Sequence, residues 1–465
     1  MKQNFYFKLG TIFFLIFKLA IIFSLILCLM LPQSFMLDLV RERAVWRHQA
    51  YQSIEQSWPR NQTIGGPVLS IPYHLSYNTK EKIIGADDEA EIIKEVTVHD
   101  VLYLIPKQLT IESKLESSLR YRGIYGVPVY TSVMQFKGEF STQAFLDFIA
   151  KNKDYKIRWE KPQLSVLVGD QRGIATPPSL SWAGSKIAFQ PGSALPGTDA
   201  GMHLMLPDIT AGQETRIPFN FDMELRGMRS IKFALLSENT DVRLAANWPH
   251  PSFTGELLPE KRDINDQGFT AQWRASSFSY NVNGVLEQCR KGQCSSLLRQ
   301  VVGIDLIQPV DVYQQSERSI KYAELFIILT FVALILFELL KKLRIHPIQY
   351  TLVGMALLVF YLLLISLSEH IPFLLAYAIG ASGSTALLTC YFGAILHSRK
   401  LGLMLGVGLS ALYVSLYVIL QAEESALLMG SLLLFIVLAA LMLATRHFDW
   451  YALTSQGDAA TETQE

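Results

Sequence analysis

From Lys321 to Thr445 the chain alternates long apolar runs with short polar breaks. The runs cover residues 322–340, 350–367, 371–396, 401–420 and 426–444. Each is close to the roughly 20 residues a helix needs to cross about 30 Å of hydrocarbon. Inside lipid every backbone N–H and C=O has to be satisfied within the segment, so these runs predict helices rather than strands. Buried helices of a water-soluble protein are the alternative, and it fails because five such runs follow one another without any polar face. The pattern predicts a C-terminal block of five transmembrane helices over residues 320–445.

The N-terminus, MKQNFYFKLGTIFFLIFKLAIIFSLILCLMLPQSFML, predicts one more span. A span over 9–31 would put Lys18 near the bilayer centre, at about 2.5–3.5 kcal/mol on insertion scales. A span over about 19–37 leaves Lys18 as a cytoplasmic flank and residues 5–17 near the interface, and this is the reading adopted. No small-x-small cleavage site follows the run, and Leu25-Ile26-Leu27-Cys28 lacks the small residues of a lipoprotein signal, so the span is expected to stay as an anchor. Residues 41–57 predict a helix leaving the membrane, which Pro59 ends; Gly65-Gly66-Pro67 reads as a turn.

From Val68 the pattern shifts to short β-rich runs bounded by Gly, Pro, Asn or Asp: 68–73, 101–105, 109–121, 164–168 and 219–225. Residues 219–226 alternate strictly, the period of a half-buried strand. Within this region only 142–151 reads as helix, and the charged residues 80–95 read as a hairpin tip or loop. The fold class predicted is a membrane protein with an anchor helix, a large all-β, sandwich-like domain over 38–319, and the helical block.

Lys and Arg near the spans set the orientation. Lys2, Lys8 and Lys18 precede the first span; Lys341, Lys342, Arg344, Arg399, Lys400 and Arg446 share its starting side. The opposite loops, Ser368-Glu369-His370 and Gln421-Ala422-Glu423-Glu424, carry neither. Residues 1–37, with their span, and the tail 446–465 are therefore expected to begin and end in the cytoplasm, and 38–319 to lie outside. Arg41, Arg43 and Arg47 run against the bias at the start of the translocated domain.

Composition adds little. Over 465 residues, 41 Lys+Arg balance 41 Asp+Glu, which leaves no footprint for nucleic acid. A mean hydropathy of +0.25 averages a polar middle with an apolar end. Of the 4 cysteines, Cys289 and Cys294 fall in the β domain. They could close a small disulfide loop in an oxidising compartment or stay unpaired, while a zinc site lacks a second Cys/His pair nearby.

Candidate chemistry is sparse. In Asn247-Trp248-Pro249-His250-Pro251-Ser252-Phe253 two prolines stiffen the backbone around His250. His250 could be a ligand or base; packing of Trp248, Phe253 and Trp273 at a sandwich corner is the reading favoured. Glu324 and Glu338 sit near the ends of their span, suited to anchoring or capping. Glu369 beside His370 could serve a proton or ion path. Gly402 and Gly406 form a small-xxx-small pattern for close helix packing. No phosphate loop, dinucleotide fingerprint, HExxH or nucleophile–base pair occurs, so no catalytic, cofactor or metal residue is assigned and an enzyme is not expected.

Several stretches together resemble the CreD family of inner-membrane proteins. They are 66–73 (GPVLSIPY), Gly169-Asp170-Gln171-Arg172-Gly173-Ile174, the 247–253 segment, Phe337-Glu338, 344–350 (RIHPIQY) with Leu352-Val353-Gly354, 367–370 (LSEH) and 446–451 (RHFDWY). The resemblance runs from about Arg41 to Tyr451. It implies a non-enzymatic protein of the Gram-negative inner membrane that serves envelope integrity, is associated with colicin tolerance, and is controlled by a two-component carbon-source and β-lactam response. Membrane lipid and envelope components are the partners implied. Two other classes remain: a transporter or channel through the five-helix block, and a membrane sensor working with a partner.

Overall fold

The computed structural model describes residues 2–84, 89–209, 215–307, 312–340, 345–422 and 425–446, with residues 2–16, 80–84, 89–92, 339–340, 426–427 and 444 described by backbone alone. Lys341, Lys342, Arg344, Glu423, Glu424 and the tail beyond Arg446 lie outside the described residues. Contacts divide the chain into Met1–Arg47 with Val310–Glu465, and His48–Pro309. Helix α1 (Lys2–Ser57) contributes to both units and continues through Pro32. No further breaker precedes Pro59, so the helix runs past residue 37, where the sequence reading ended the anchor.

The strand unit opens with a long ribbon. β1 (Gln62–Ile84) and β2 (Glu89–Leu104) pair from Leu69–Leu104 to Ile84–Glu89, so 80–95 is its far end. β3 (Gln108–Arg122) and β4 (Tyr125–Ser141) make a second hairpin, followed by α2 (Gln143–Lys151). Next come β5 (Lys156–Trp159), β6 (Gln163–Leu167), β7 (Ser179–Trp182), β8 (Ser185–Ala188), β9 (Gln190–Pro191) and β10 (Gly201–Met205). β11 (Arg216–Met228), β12 (Ser230–Ala234), β13 (Asn239–Ala246) and β14 (Pro251–Gly255) follow. The hairpin of β15 (Lys261–Asn265) and β16 (Gly268–Ser276), helix α3 (Val282–Arg290) and β17 (Val301–Leu306) complete the unit.

Two sheets result. One runs β14-β17-β12-β1-β6-β10-β9, with β2 and β5 also paired to β1; the other runs β15-β16-β13-β3-β4-β11-β7-β8. The alternation of 219–226 puts Phe219, Phe221, Met223 and Leu225 inward. They join one core with Ile111 and Phe136 from their own sheet and Ile64, Val166, Phe233 and Ile304 from the other. Each such side chain contributes about 1.5–3 kcal/mol by leaving water. A shared core between two sheets is the sandwich the pattern implied.

Two local readings change. Gly65-Gly66-Pro67 is a bulge inside β1 rather than a turn, with the register stepping from Gly65–Leu167 to Val68–Ser165. Gly66 has φ +105° and a Cβ there would stand 2.9 Å from the Ser165 carbonyl oxygen, so glycine is required. The region also holds a second helix, α3: Asn281 caps it by accepting from the Gly284 N–H, and Val282, Val285 and Cys289 bury one face.

In the helical unit, α4 (Val312–Lys321) precedes α5 (Ala323–Leu340), and the pair bends by 40°. Thus 312–319 is helix, although the sequence reading counted it with the strand domain. α6 (Pro347–Ser368), α7 (Phe373–Ile395), α8 (Arg399–Gln421) and α9 (Ala426–Thr445) follow. Among the described residues four helices are long and apolar enough to cross a membrane, or five if α4 and α5 form one broken span; α9 adds a shorter apolar stretch, Leu428–Leu443. The 344–350 motif starts α6: His346 Nδ1 accepts from the Ile348 N–H, Gln349 accepts from the His346 N–H, and Pro347 takes the first turn. Where α7 meets α8, a Cβ on Gly402 would stand 2.7 Å from Gly393 Cα and one on Gly406 2.1 Å from Thr389 Oγ1, so small residues set this approach.

Candidate functional site

Of the strand unit's candidates, Trp248 and Phe253 pack and His250 does not. Trp248 is partly buried against the core, and its indole N–H donates to the carbonyls of His250 (3.1 Å) and Ile307 (2.9 Å). His250 contributes that carbonyl while its residue stays exposed. The Phe253 ring meets Phe269 at 5.8 Å and Trp273 at 5.9 Å, both edge-on. Cys289 and Cys294 are joined by a disulfide, Cα to Cα 3.9 Å, and are fully buried.

The Gly169–Ile174 motif forms a knot of hydrogen bonds. Arg172 donates to the carbonyls of Gln56 (3.1 Å), Glu55 (3.2 Å) and Trp58 (3.4 Å), covering the end of α1 where carbonyls lack helical donors. Its guanidinium also grips Asp170, at 2.6 Å. Gln62, wholly buried, donates to the Asp170 and Arg226 carbonyls and accepts from the Asp170 N–H. A Cβ on Gly173 would stand 2.3 Å from Gln62 Nε2, which explains that glycine.

Burial pushes the Asp170 carboxyl up, but hydrogen bonds from Arg172 and the Arg60 N–H outweigh it, and the group titrates below the usual carboxylate range. A depressed carboxylate contributes stability that is present above its unfolded value of about 3.9 and is lost as pH falls through the folded value. Acid unfolding of the detergent-purified chain should therefore show a carboxylate contribution below about pH 4 that Asp170→Asn removes. An unchanged acid limb in Asp170→Asn would exclude Asp170 as a source.

The helical unit holds the more unusual chemistry. Helix α1 buries Ile22, Leu29, Gln33 and Val40, at spacings of 7, 4 and 7 that define one stripe. Three polar side chains lie on or beside it. Lys18, expected as a cytoplasmic flank, pairs with Glu338 and donates to the Ile345 carbonyl (2.9 Å). Glu338 also accepts from Tyr350 Oη (2.8 Å) and the Ile345 N–H (3.2 Å), so the carboxylate is well satisfied. Farther along, Arg43 lies 3.6 Å from Glu369, which accepts from Tyr313 Oη at 3.3 Å. His370 is exposed and stands outside this group.

Lys18 and Arg43 are 25 residues apart, about 37 Å along a helix. Between them Gln33 donates to the Ile320 carbonyl at 2.9 Å. Among the described residues its Oε1, with Gln315 Oε1, Ser316 Oγ and Ser319 Oγ, is buried without a hydrogen-bond partner. Leaving a buried polar group unmade costs about 1–3 kcal/mol each, and α4 carries three of these four. Sequence reasoning missed this group because 312–319 was read as part of a strand domain. The polar residues facing inward at Tyr313, Ser316 and Ser319, spaced by three, were the available signal. Among the described residues no group of three or more His, Cys, Asp or Glu could hold a metal ion.

An apolar anchor helix, a strand-built insertion and an apolar helical block define a multi-pass membrane protein. The family model described as "Inner membrane protein CreD" matches residues 14–451. Inner membrane protein CreD of Escherichia coli (strain K12) is 31% identical over 441 residues, 95% of this chain and 94% of that protein. The chain belongs to the CreD family, and it is a multi-pass protein of the inner membrane. Among solved structures, an M1 zinc metallopeptidase from Deinococcus radiodurans overlaps 36% of this chain and 38% of its own at 7% identity, with a TM-score of 0.17 too low to show a shared fold.

Proposed function

We propose that this chain contributes to cell-envelope integrity, colicin tolerance included, through a strand domain that contacts envelope components on the periplasmic side. Both termini are cytoplasmic in this reading, α1 and the C-terminal helices cross the membrane, and no reaction is catalysed. The observation that carries it is the build: the bulk of the chain outside the apolar helices is one folded strand domain whose singled-out residues pack rather than converge. Lys and Arg near the apolar runs support the orientation, and the buried Cys289–Cys294 disulfide suits an oxidising compartment. The resemblance to CreD supports the envelope role.

The test compares a deletion strain, an overexpressing strain and one overexpressing a chain without residues 68–306, each challenged with colicin, detergent and β-lactam. Overexpression should change sensitivity only with the strand domain present. If the helical part alone has the full effect, a conduit role replaces this one. A periplasm-specific reporter inserted near Asp266 should be active and one fused after Thr445 silent; the reverse pattern would invert the topology.

A further inference from the structure

We propose that the helical block contains a site for a small monovalent cation, built from α4 and Gln33 of α1. The inward residues of α4 are Tyr313, Ser316, Ser319 and Ile320. Three of these four carry hydroxyls, placed three residues apart, so they fall on one side of the helix and climb about 9 Å. A helix packed among apolar neighbours ordinarily turns its apolar stripe inward; α4 turns hydroxyls inward.

Gln33 makes the arrangement a site rather than an oddity of α4. One of its amide N–H groups donates to the Ile320 carbonyl, which holds Oε1 beside α4, where no described residue gives it a hydrogen to accept. Ser316 and Ser319 are as buried as any core residue, at 1% and 0% exposure, and among the described residues their hydroxyls have no partner. Gln315 Oε1 is in the same condition. At the Val312 end of the column the Tyr313 hydroxyl leads to Glu369, whose carboxylate faces Arg43.

These groups select the ligand. Two amide oxygens can only accept, which disfavours an anion. Uncharged hard oxygens replace the hydration shell of an alkali ion, as carbonyl rings do in ion filters. A divalent ion would call for carboxylates among its ligands, and the one at the column's end already answers Arg43. Serine hydroxyls and carboxamides have no ionisable proton to store, which suits them to a cation. The site stands or falls independently of the envelope role.

The test is thermal unfolding of the full chain in detergent, in lithium, sodium, potassium or choline chloride at equal ionic strength. One alkali ion should raise the midpoint above that in choline chloride, increasingly with its concentration, as expected for a ligand bound only by the folded state. In Gln33→Leu and Ser319→Ala the apparent dissociation constant should rise about tenfold or more, while Ser319→Thr keeps the response. Equal midpoints in all four salts overturn the proposal, and so does a salt-specific shift that persists undiminished in Gln33→Leu and Ser319→Ala. If those variants fail to fold, the salt series on the parent chain decides alone.

Discussion

Lys18→Met should destabilise the detergent-purified protein by about 3–5 kcal/mol, the usual result of removing one partner from a buried ion pair. Both side chains are largely enclosed, 18% exposed for Lys18 and 13% for Glu338. Among the described residues the variant leaves the Glu338 carboxylate with Tyr350 and the Ile345 N–H. Adding Glu338→Gln should recover most of the loss, because the orphaned charge rather than the missing attraction dominates the penalty. Thermal or denaturant unfolding of the two single variants, the double variant and the parent closes the cycle. Independent, additive losses would show that the two groups do not act as a pair.

Trp273→Ala should cost about 3–5 kcal/mol by opening a cavity in the strand unit's core. The residue is 1% exposed, sits opposite Val242 across β13 and β16, and receives the edge of Phe253. Its indole N–H is buried with no partner among the described residues, so Trp273→Phe removes that unpaired group and should cost distinctly less than the alanine variant. Trp248→Ala, at a partly exposed position, should fall below both. Unfolding followed by near-ultraviolet circular dichroism ranks the three. Equal melting of Trp273→Ala and parent would mean that this part of the core is not packed as described.

Much of the fold is legible in the sequence because two periods carry it. Runs without a polar face mark the helices from α5 to α9, and alternation from Phe219 to Arg226 marks β11 and its buried face. What escapes is of a different kind. Helix α3 is nine residues long and buries only three side chains, so its signal reduces to the Asn281 cap. Helix α4 inverts the usual pattern, and hydroxyls facing inward read as surface. The bulge at Gly65–Val68 uses the same Gly and Pro that would make a turn. The Lys18–Glu338 pair is beyond local reading: sequence puts Lys18 at a flank and Glu338 near the end of another span, and only the fold shows that they meet.

The same pair has a consequence for how the chain is made. Lys18 and Glu338 lie 320 positions apart, and synthesis at about 5–20 residues per second puts roughly 15–60 s between them. The anchor helix is thus inserted long before its counter-ion exists, along with the rest of the seat that buries Ile22, Leu29 and Val40. A chain interrupted anywhere ahead of α5 is left with an uncompensated lysine inside the apolar stretch 9–37 of the first helix.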